Sequence, residues 1–269
     1  MKVFISVDME GISGVSCWDD VDPGKPSYAR FRRVMTAEVN AAVDGALQAQ
    51  AAAVLVNDSH GGMRNVLIEE LNYRAELISG WPKPLGMMTG VDSGVDVAFL
   101  IGCHARAGTP HAIMDHTWSG SRVYRLTVNG QELGEVGLNA ALAGHFGVPV
   151  ALVAGDRAVT EEARALLGPN LVTCAVKEAL SRESVRCLPP ERAHGMLRAA
   201  ALRALRESPP APLVIESPVT ISVDFVNSLQ AEAAGSLPGA RRTGGRTVEW
   251  TGEDVIAAFH GMVAMLALS

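Results

Sequence analysis

Lys2-Val3-Phe4-Ile5-Ser6-Val7-Asp8-Met9-Glu10-Gly11-Ile12-Ser13-Gly14 opens the chain. Val3, Phe4, Ile5 and Val7 form the short apolar run of a central β-strand. The run ends in two carboxylates and a glycine-rich turn. Asp8 and Glu10 are two residues apart, and in extended backbone side chains at that spacing point to the same side. Two acids aimed at one spot repel unless positive charge lies between them, and a divalent metal supplies it. Taken alone, a D-x-E after a strand is more often a solvated loop with two ordinary acids.

The same pattern recurs further along. Phe31, Val34, Met35, Val39, Ala42, Val43, Ala46 and Leu47 repeat at three- and four-residue spacing, which predicts a helix from about Tyr28 to Gln50. Val54-Leu55-Val56 is a second strand, ending in Asn57-Asp58-Ser59-His60-Gly61-Gly62. Strand, helix and strand make a βαβ unit with a parallel pair and a right-handed crossover. Val95 to Ile101 is a further buried strand, ending in Gly102-Cys103-His104. Three strands thus terminate in Asp8 and Glu10, in His60 and in His104. As parallel neighbours they place these residues at one carboxyl edge, where α/β proteins bind ligands.

A loop from Thr109 to Gly120 holds His111, Asp115, His116 and Trp118, and Cys17 to Ser27 is expected as a second long loop. Val123 to Val128 reads as a strand, and Asn129-Gly130 signals a type I′ hairpin turn. Gly134-Glu135-Val136 leads into a helix through Phe146, so Glu135 faces either the same cavity or only the helix dipole. Val148 to Ala154 is another strand, and Asp156 after it is a site residue or a helix cap. Leu171 to Val176 is a possible strand. Composition shifts after Cys187, with a helix opened by Pro189-Pro190, an alternating strand from Thr220 to Val226 and a closing helix from Asp254 to Leu268. The expected fold is α/β, a mainly parallel sheet core with helices on both faces. A smaller C-terminal α+β portion is expected to follow, with the division at 1–187 and 188–269.

At 269 residues, with 48% hydrophobic and 19% charged residues, the chain is globular. A net charge of −6 and a pI near 5.7 argue against nucleic acid as partner. No apolar run reaches the ~20 residues of a membrane span, and no signal peptide is legible. Cys17, Cys103, Cys174 and Cys187 form no C-x-x-C pair. These features predict a reduced, cytoplasmic protein without membrane partners.

Asp8, Glu10, His60, His104 and Glu135 form an oxygen and nitrogen set suited to zinc or a similar ion. Five ligands exceed one open catalytic zinc and suit two metals sharing either Asp8 or Glu10. Such pairs, about 3.5–4 Å apart, generate a hydroxide at neutral pH that attacks an amide, ester or phosphoryl group. His111 and His116 are the histidines placed to act as acid or base, and Arg106 is placed to meet a substrate carboxylate.

The segments Ser6 to Gly14, Val56 to His60, His104 to Ala107 and Gly134 to Ala140 resemble the D-aminopeptidase family of metallopeptidases, family M55. The similarity runs over nearly the whole chain, in conserved order. It implies an aminopeptidase with two zinc ions per subunit, acting on short D-amino-acid peptides such as D-Ala-D-Ala. It assigns the metal ligands to Asp8, Glu10, His60, His104 and Glu135 and the catalytic histidine to His116. It also implies a ring-shaped homodecamer enclosing its active sites. Competing expectations are a two-metal hydrolase of another small amide, ester or phosphoester, and a non-catalytic peptide-binding relative.

Overall fold

A computed structural model describes residues 1–269. Its elements are β1 (Lys2–Val7), α1 (Trp18–Val21), α2 (Tyr28–Gln48), β2 (Ala53–Asp58), β3 (Ala75–Ile78), β4 (Val97–Cys103), β5 (Val123–Val128), β6 (Gln131–Glu132), α3 (Glu135–His145), β7 (Val150–Asp156), α4 (Arg157–Leu167), β8 (Val172–Ser181), β9 (Ser184–Cys187), α5 (Pro190–Ala204), β10 (Val219–Phe225), α6 (Ser228–Ala234), β11 (Arg241–Arg242), β12 (Thr247–Gly252) and α7 (Val255–Leu268).

Seven strands form one sheet in the order β3-β2-β1-β4-β7-β8-β9. All its pairs are parallel except the β8–β9 hairpin. β1 lies inside it, level with β2 from Lys2↔Ala53 to Val7↔Asp58 and with β4 from Val3↔Val97 to Val7↔Ile101. The chain leaves β1 on one side for β2 and β3, then returns on the other side at β4. The crevice beyond β1 and β4 is therefore a topological switch point, where doubly wound sheets bind ligands.

Successive side chains of β1 point to opposite faces. Val3, Ile5 and Val7 join a core with Phe31, Met35 and Val39 of α2 and Leu197 of α5. Phe4 joins the core on the other face, with Leu138 and Leu142 of α3, Val223 of β10 and Phe259 of α7. Helices therefore cover both faces, as the near-continuous apolar run of β1 requires.

The second sheet, ordered β11-β12-β10-β5-β6, is antiparallel throughout. Asn129 and Gly130 have φ of 47° and 80°, the two positive values of a type I′ turn. β10 alternates buried and half-buried residues, as its sequence predicts. Because β10 pairs with β5, residues 219–252 share a sheet with residues 123–132. α5 packs on α2. The expected division at 187/188 runs between elements joined by both contacts.

Two local differences from the sequence reading bear on the site. The stretch expected as a loop from Cys17 to Ser27 contains the one-turn helix α1. β8 runs on to Ser181 because β9 returns antiparallel along it. No helix is long and apolar enough to cross a membrane.

Candidate metal centre

Asp8 and Glu10 follow β1, His60 follows β2, His104 follows β4, and Glu135 opens α3. Close approach of two backbones brings the first and third of these segments together. A Cβ on Gly11 would lie 2.0 Å from the carbonyl oxygen of Cys103. Gly102 has φ +69°, and a Cβ there would lie 2.1 Å from the carbonyl oxygen of Asp8. Only glycine permits either contact. The carboxylates after β1 therefore sit directly beside His104.

The side chains converge tightly. His60 Nδ1 lies 3.2 Å from Asp8 Oδ1 and 3.0 Å from Glu10 Oε2. His104 Nε2 lies 3.5 Å from Asp8 Oδ2 and 3.2 Å from Glu135 Oε1. The rings of His104 and His116 stack with centroids 3.9 Å apart. His116 Nε2 lies 3.7 Å from Glu135 Oε1 and 3.9 Å from Glu10 Oε1. Potential ligand atoms fall into three triads, each within 4.8 Å: Asp8, Glu10 and His60; Asp8, His104 and Glu135; and Glu10, His104 and His116.

Each imidazole is oriented by a backbone carbonyl on its far nitrogen. His60 Nε2–H donates to Val21 O (3.1 Å), His104 Nδ1–H to Ala105 O (3.0 Å) and His116 Nδ1–H to Met114 O (2.8 Å). The other nitrogen of each ring then presents its lone pair to the carboxylates. This is the support that metal-binding histidines use to fix tautomer and direction. Glu135 is held in the same way, accepting the Trp118 backbone N–H at 2.7 Å.

Electrostatics makes the cluster a receptor for positive charge. Burial, reinforced by the Glu10 charge, raises the pKa of Asp8 to about 7. Burial also acts on Glu10 and Glu135, but His60 and His104 outweigh it at Glu10, and His104 and His116 outweigh it at Glu135. Both stay below the ordinary value, Glu10 well below it. Burial opposes charge on His60 and His104, yet the surrounding carboxylates override it and push both imidazoles well above their ordinary range. Burial and the adjacent His104 lower His116, which favours the neutral ring. Buried carboxylates in this number need a cationic partner. The mixed carboxylate and imidazole donors, with their carbonyl-fixed rings, fit zinc or a similar divalent ion.

The loop from Thr109 to Gly120 separates its two histidines. His111 is exposed, whereas His116 is buried against the cluster and meets Trp18 edge-on at 5.2 Å. His111, Met114 and Trp118 have φ of 52°, 41° and 61°, a conformation costly for non-glycine residues. Contacts outside the loop hold it there: Ile113 N–H donates to Asp156 Oδ2 (3.1 Å) and Met114 N–H to Arg182 O (2.8 Å). Asp156 also caps α4 through Val159 N–H. It stands behind the loop and serves as a helix cap, one of the two roles its position leaves open.

Several residues that shape the site carry no sequence signal. Lys177, buried in β8, donates to the carbonyl oxygens of Glu10 (2.5 Å), Ile12 (2.8 Å) and Val15 (2.7 Å), pinning the turn that carries Glu10. Arg106, expected to face substrate, is paired with Glu132 (3.2 Å) and Glu162 (3.6 Å) and lines a different cavity. The cavity in front of the cluster has a volume of about 490 Å³. Asp8, Glu10, His60, His116 and Glu135 form one side; Trp118 and, from α7, Phe259, Val263 and Leu266 form an apolar wall.

The same arrangement of chain is found in known proteins. A family model described as D-aminopeptidase matches residues 1–264. The D-aminopeptidase of Bacillus subtilis (strain 168) is 41% identical over 271 residues, covering 100% of this chain and 98% of that protein. The structure of the Zn-dependent D-aminopeptidase DppA from Bacillus subtilis, described as a self-compartmentalizing protease, superposes with a TM-score of 0.95. It is 40% identical, with 100% of this chain and 97% of that chain covered. A match of this extent in sequence and in fold leaves one assignment: the chain belongs to the D-aminopeptidase family of metallopeptidases.

Proposed function

We propose that this protein is a zinc-dependent aminopeptidase that removes the N-terminal residue from short D-amino-acid peptides, D-Ala-D-Ala among them. Asp8, Glu10 and His60 would hold one zinc ion, and Asp8, His104 and Glu135 would hold a second. The observation that carries this reading is the position of Asp8. Its two oxygens face different imidazoles, Oδ1 toward His60 at 3.2 Å and Oδ2 toward His104 at 3.5 Å. Glu10 also belongs to two of the ligand triads, but its second imidazole, His116, lies farther off, at 3.9 Å. That supports Asp8, rather than Glu10, as the bridging carboxylate. The relative described as a Zn-dependent D-aminopeptidase supports the metal and the substrate class.

Two zinc ions so held supply Lewis acidity, polarising the scissile carbonyl and making water acidic enough to ionise near neutral pH. The protein's own groups do the rest. His116, with Nδ1–H tied to Met114 O, offers Nε2 as a base beside Glu10 and Glu135. It takes the proton of the attacking water and returns it to the leaving amine nitrogen. Trp18 and Trp118 line the cavity beside it and limit the access of bulk water.

The self-compartmentalizing description of the relative supports a closed assembly here, and the family resemblance implies a ring of ten subunits with the active sites enclosed. The cytoplasm is the compartment that suits four free cysteines.

Metal analysis of the purified protein, coupled to D- and L-dipeptide hydrolysis, tests the reading. The expected result is two zinc ions per subunit and release of D-alanine from D-Ala-D-Ala, lost on chelation and restored by zinc. Metal-free protein, or turnover confined to L-peptides, esters or phosphoesters, overturns it. Light scattering checks the ring.

A further inference from the structure

Two side chains with an ammonium or guanidinium head line the site cavity, Lys83 and Arg122. They differ in what they already hold. Lys83 Nζ donates to Asn57 Oδ1 (2.7 Å), Asp58 O (2.6 Å) and Ile78 O (3.2 Å), so all its donors are occupied. The Arg122 guanidinium makes no hydrogen bond and no ion pair within the chain. Arg122 is exposed, and the arginines around it are paired. Arg106, Arg125 and Arg182 each contact a carboxylate, at 3.2 Å from Glu132, 2.7 Å from Asp224 and 2.8 Å from Asp115. Those three line another cavity, behind the His116 loop.

The Arg122 backbone is fixed where the loop enters β5. Its N–H donates to Ser119 O (3.0 Å) and its carbonyl accepts from Val226 N–H (2.9 Å). A pinned backbone with five free donors is a receptor for a planar anion. The carboxylates in the cavity, Asp8, Glu10 and Glu135, face the histidines of the cluster, and Lys83 is fully engaged, so Arg122 is the lining group left to receive an anionic end of a peptide. In an aminopeptidase the N-terminal residue lies at the reacting centre. The C-terminal carboxylate of a di- or tripeptide is then still inside the same cavity.

We infer that Arg122 receives the C-terminal carboxylate of the substrate and thereby selects peptides short enough to place it there. The inference rests on the aminopeptidase reading above. Arg122 makes no contact with the reacting atoms in this role and acts on specificity.

The test compares D-Ala-D-Ala with its C-terminal amide on wild type, R122M and R122K. Wild type is expected to show a lower KM for the acid than for the amide. R122M raises KM for the acid about tenfold, leaves KM for the amide unchanged and leaves kcat nearly so; R122K recovers part of the loss. An unchanged KM for the acid overturns the inference, as does an equal rise for acid and amide, which marks a general distortion. Calorimetric titration with a dipeptide whose scissile carbonyl is reduced to a methylene, as acid and as amide, reads binding without turnover. Weaker binding of only the acid form by R122M supports the carboxylate contact even where hydrolysis of D-peptides fails, so the two readings fall separately.

Discussion

His116 and Glu38 show how single residues divide the work at this centre. His116 is buried and stacked on His104, and burial with the adjacent His104 lowers its pKa, while its free Nε2 faces the carboxylates. Replacing it with alanine is expected to lower kcat by about 10²–10⁴-fold while zinc content stays at the wild-type level. Undiminished turnover would remove His116 from the mechanism, and loss of zinc would make it a ligand instead. Glu38 lies behind the site on α2, where it accepts the Ser13 N–H at 2.8 Å. Burial raises its pKa above 4.5, incompletely offset by Ser13 and Lys177. The folded state therefore holds this proton more tightly than the unfolded chain. Its contribution to stability is greatest below the unfolded value and falls as pH rises through the folded one. Glu38→Gln keeps an acceptor for Ser13 and does not titrate. Its melting temperature relative to wild type should rise between about pH 4 and pH 8. A constant difference across that range would show that Glu38 is not buried with a raised pKa.

At the scale of elements, the His116 loop is the part most dependent on its surroundings. Three of its non-glycine residues have positive φ, so the loop does not hold its shape from local preference. Asp156, at the end of β7, binds it and α4 at once, accepting Ile113 N–H and Val159 N–H, each at 3.1 Å. Asp156→Ala removes both bonds and leaves buried donors unpaired. It should cost about 2 kcal/mol in urea unfolding and lower kcat, since Met114 and His116 lie on the released loop. A stability loss with wild-type kcat would show that the loop is held without Asp156. Lys177 has the corresponding task at the other end of the site, joining β8 to the turn after β1 through three carbonyl oxygens.

For the whole molecule, the proposed ligand set joins elements that are distant in sequence. Asp8 and Glu10, His60, His104 and Glu135 come from β1, β2, β4 and α3, all meeting at the switch point of one sheet. A metal bound there cross-links four elements and binds only the folded chain. Zinc at one hundred times its Kd stabilises by about 2.7 kcal/mol, so a strong chelator should lower the melting temperature by several degrees and zinc should restore it. A melting curve indifferent to the chelator would argue against tight metal binding by the folded state.

Period and punctuation in the sequence were enough to locate the parallel strands, the helices covering them and the polar strand ends. Apolar runs stopped by Asp8, His60 and His104 are local features, and parallel pairing necessarily brings such ends to one edge. The Asn129-Gly130 turn was legible for the same reason, because it depends on two adjacent residues. Glu135 joined the strand-end residues as a candidate ligand from its place at a helix start, and the family resemblance chose His116 over His111. Only the tertiary structure separated exposed His111 from buried His116, paired Arg106 with Glu132 and Glu162, left Arg122 free and turned the two Asp8 oxygens toward different imidazoles. The reason is physical. Strand and helix follow from periodicities within a few residues, whereas burial, charge pairing and the direction of a side chain depend on what the fold brings beside it.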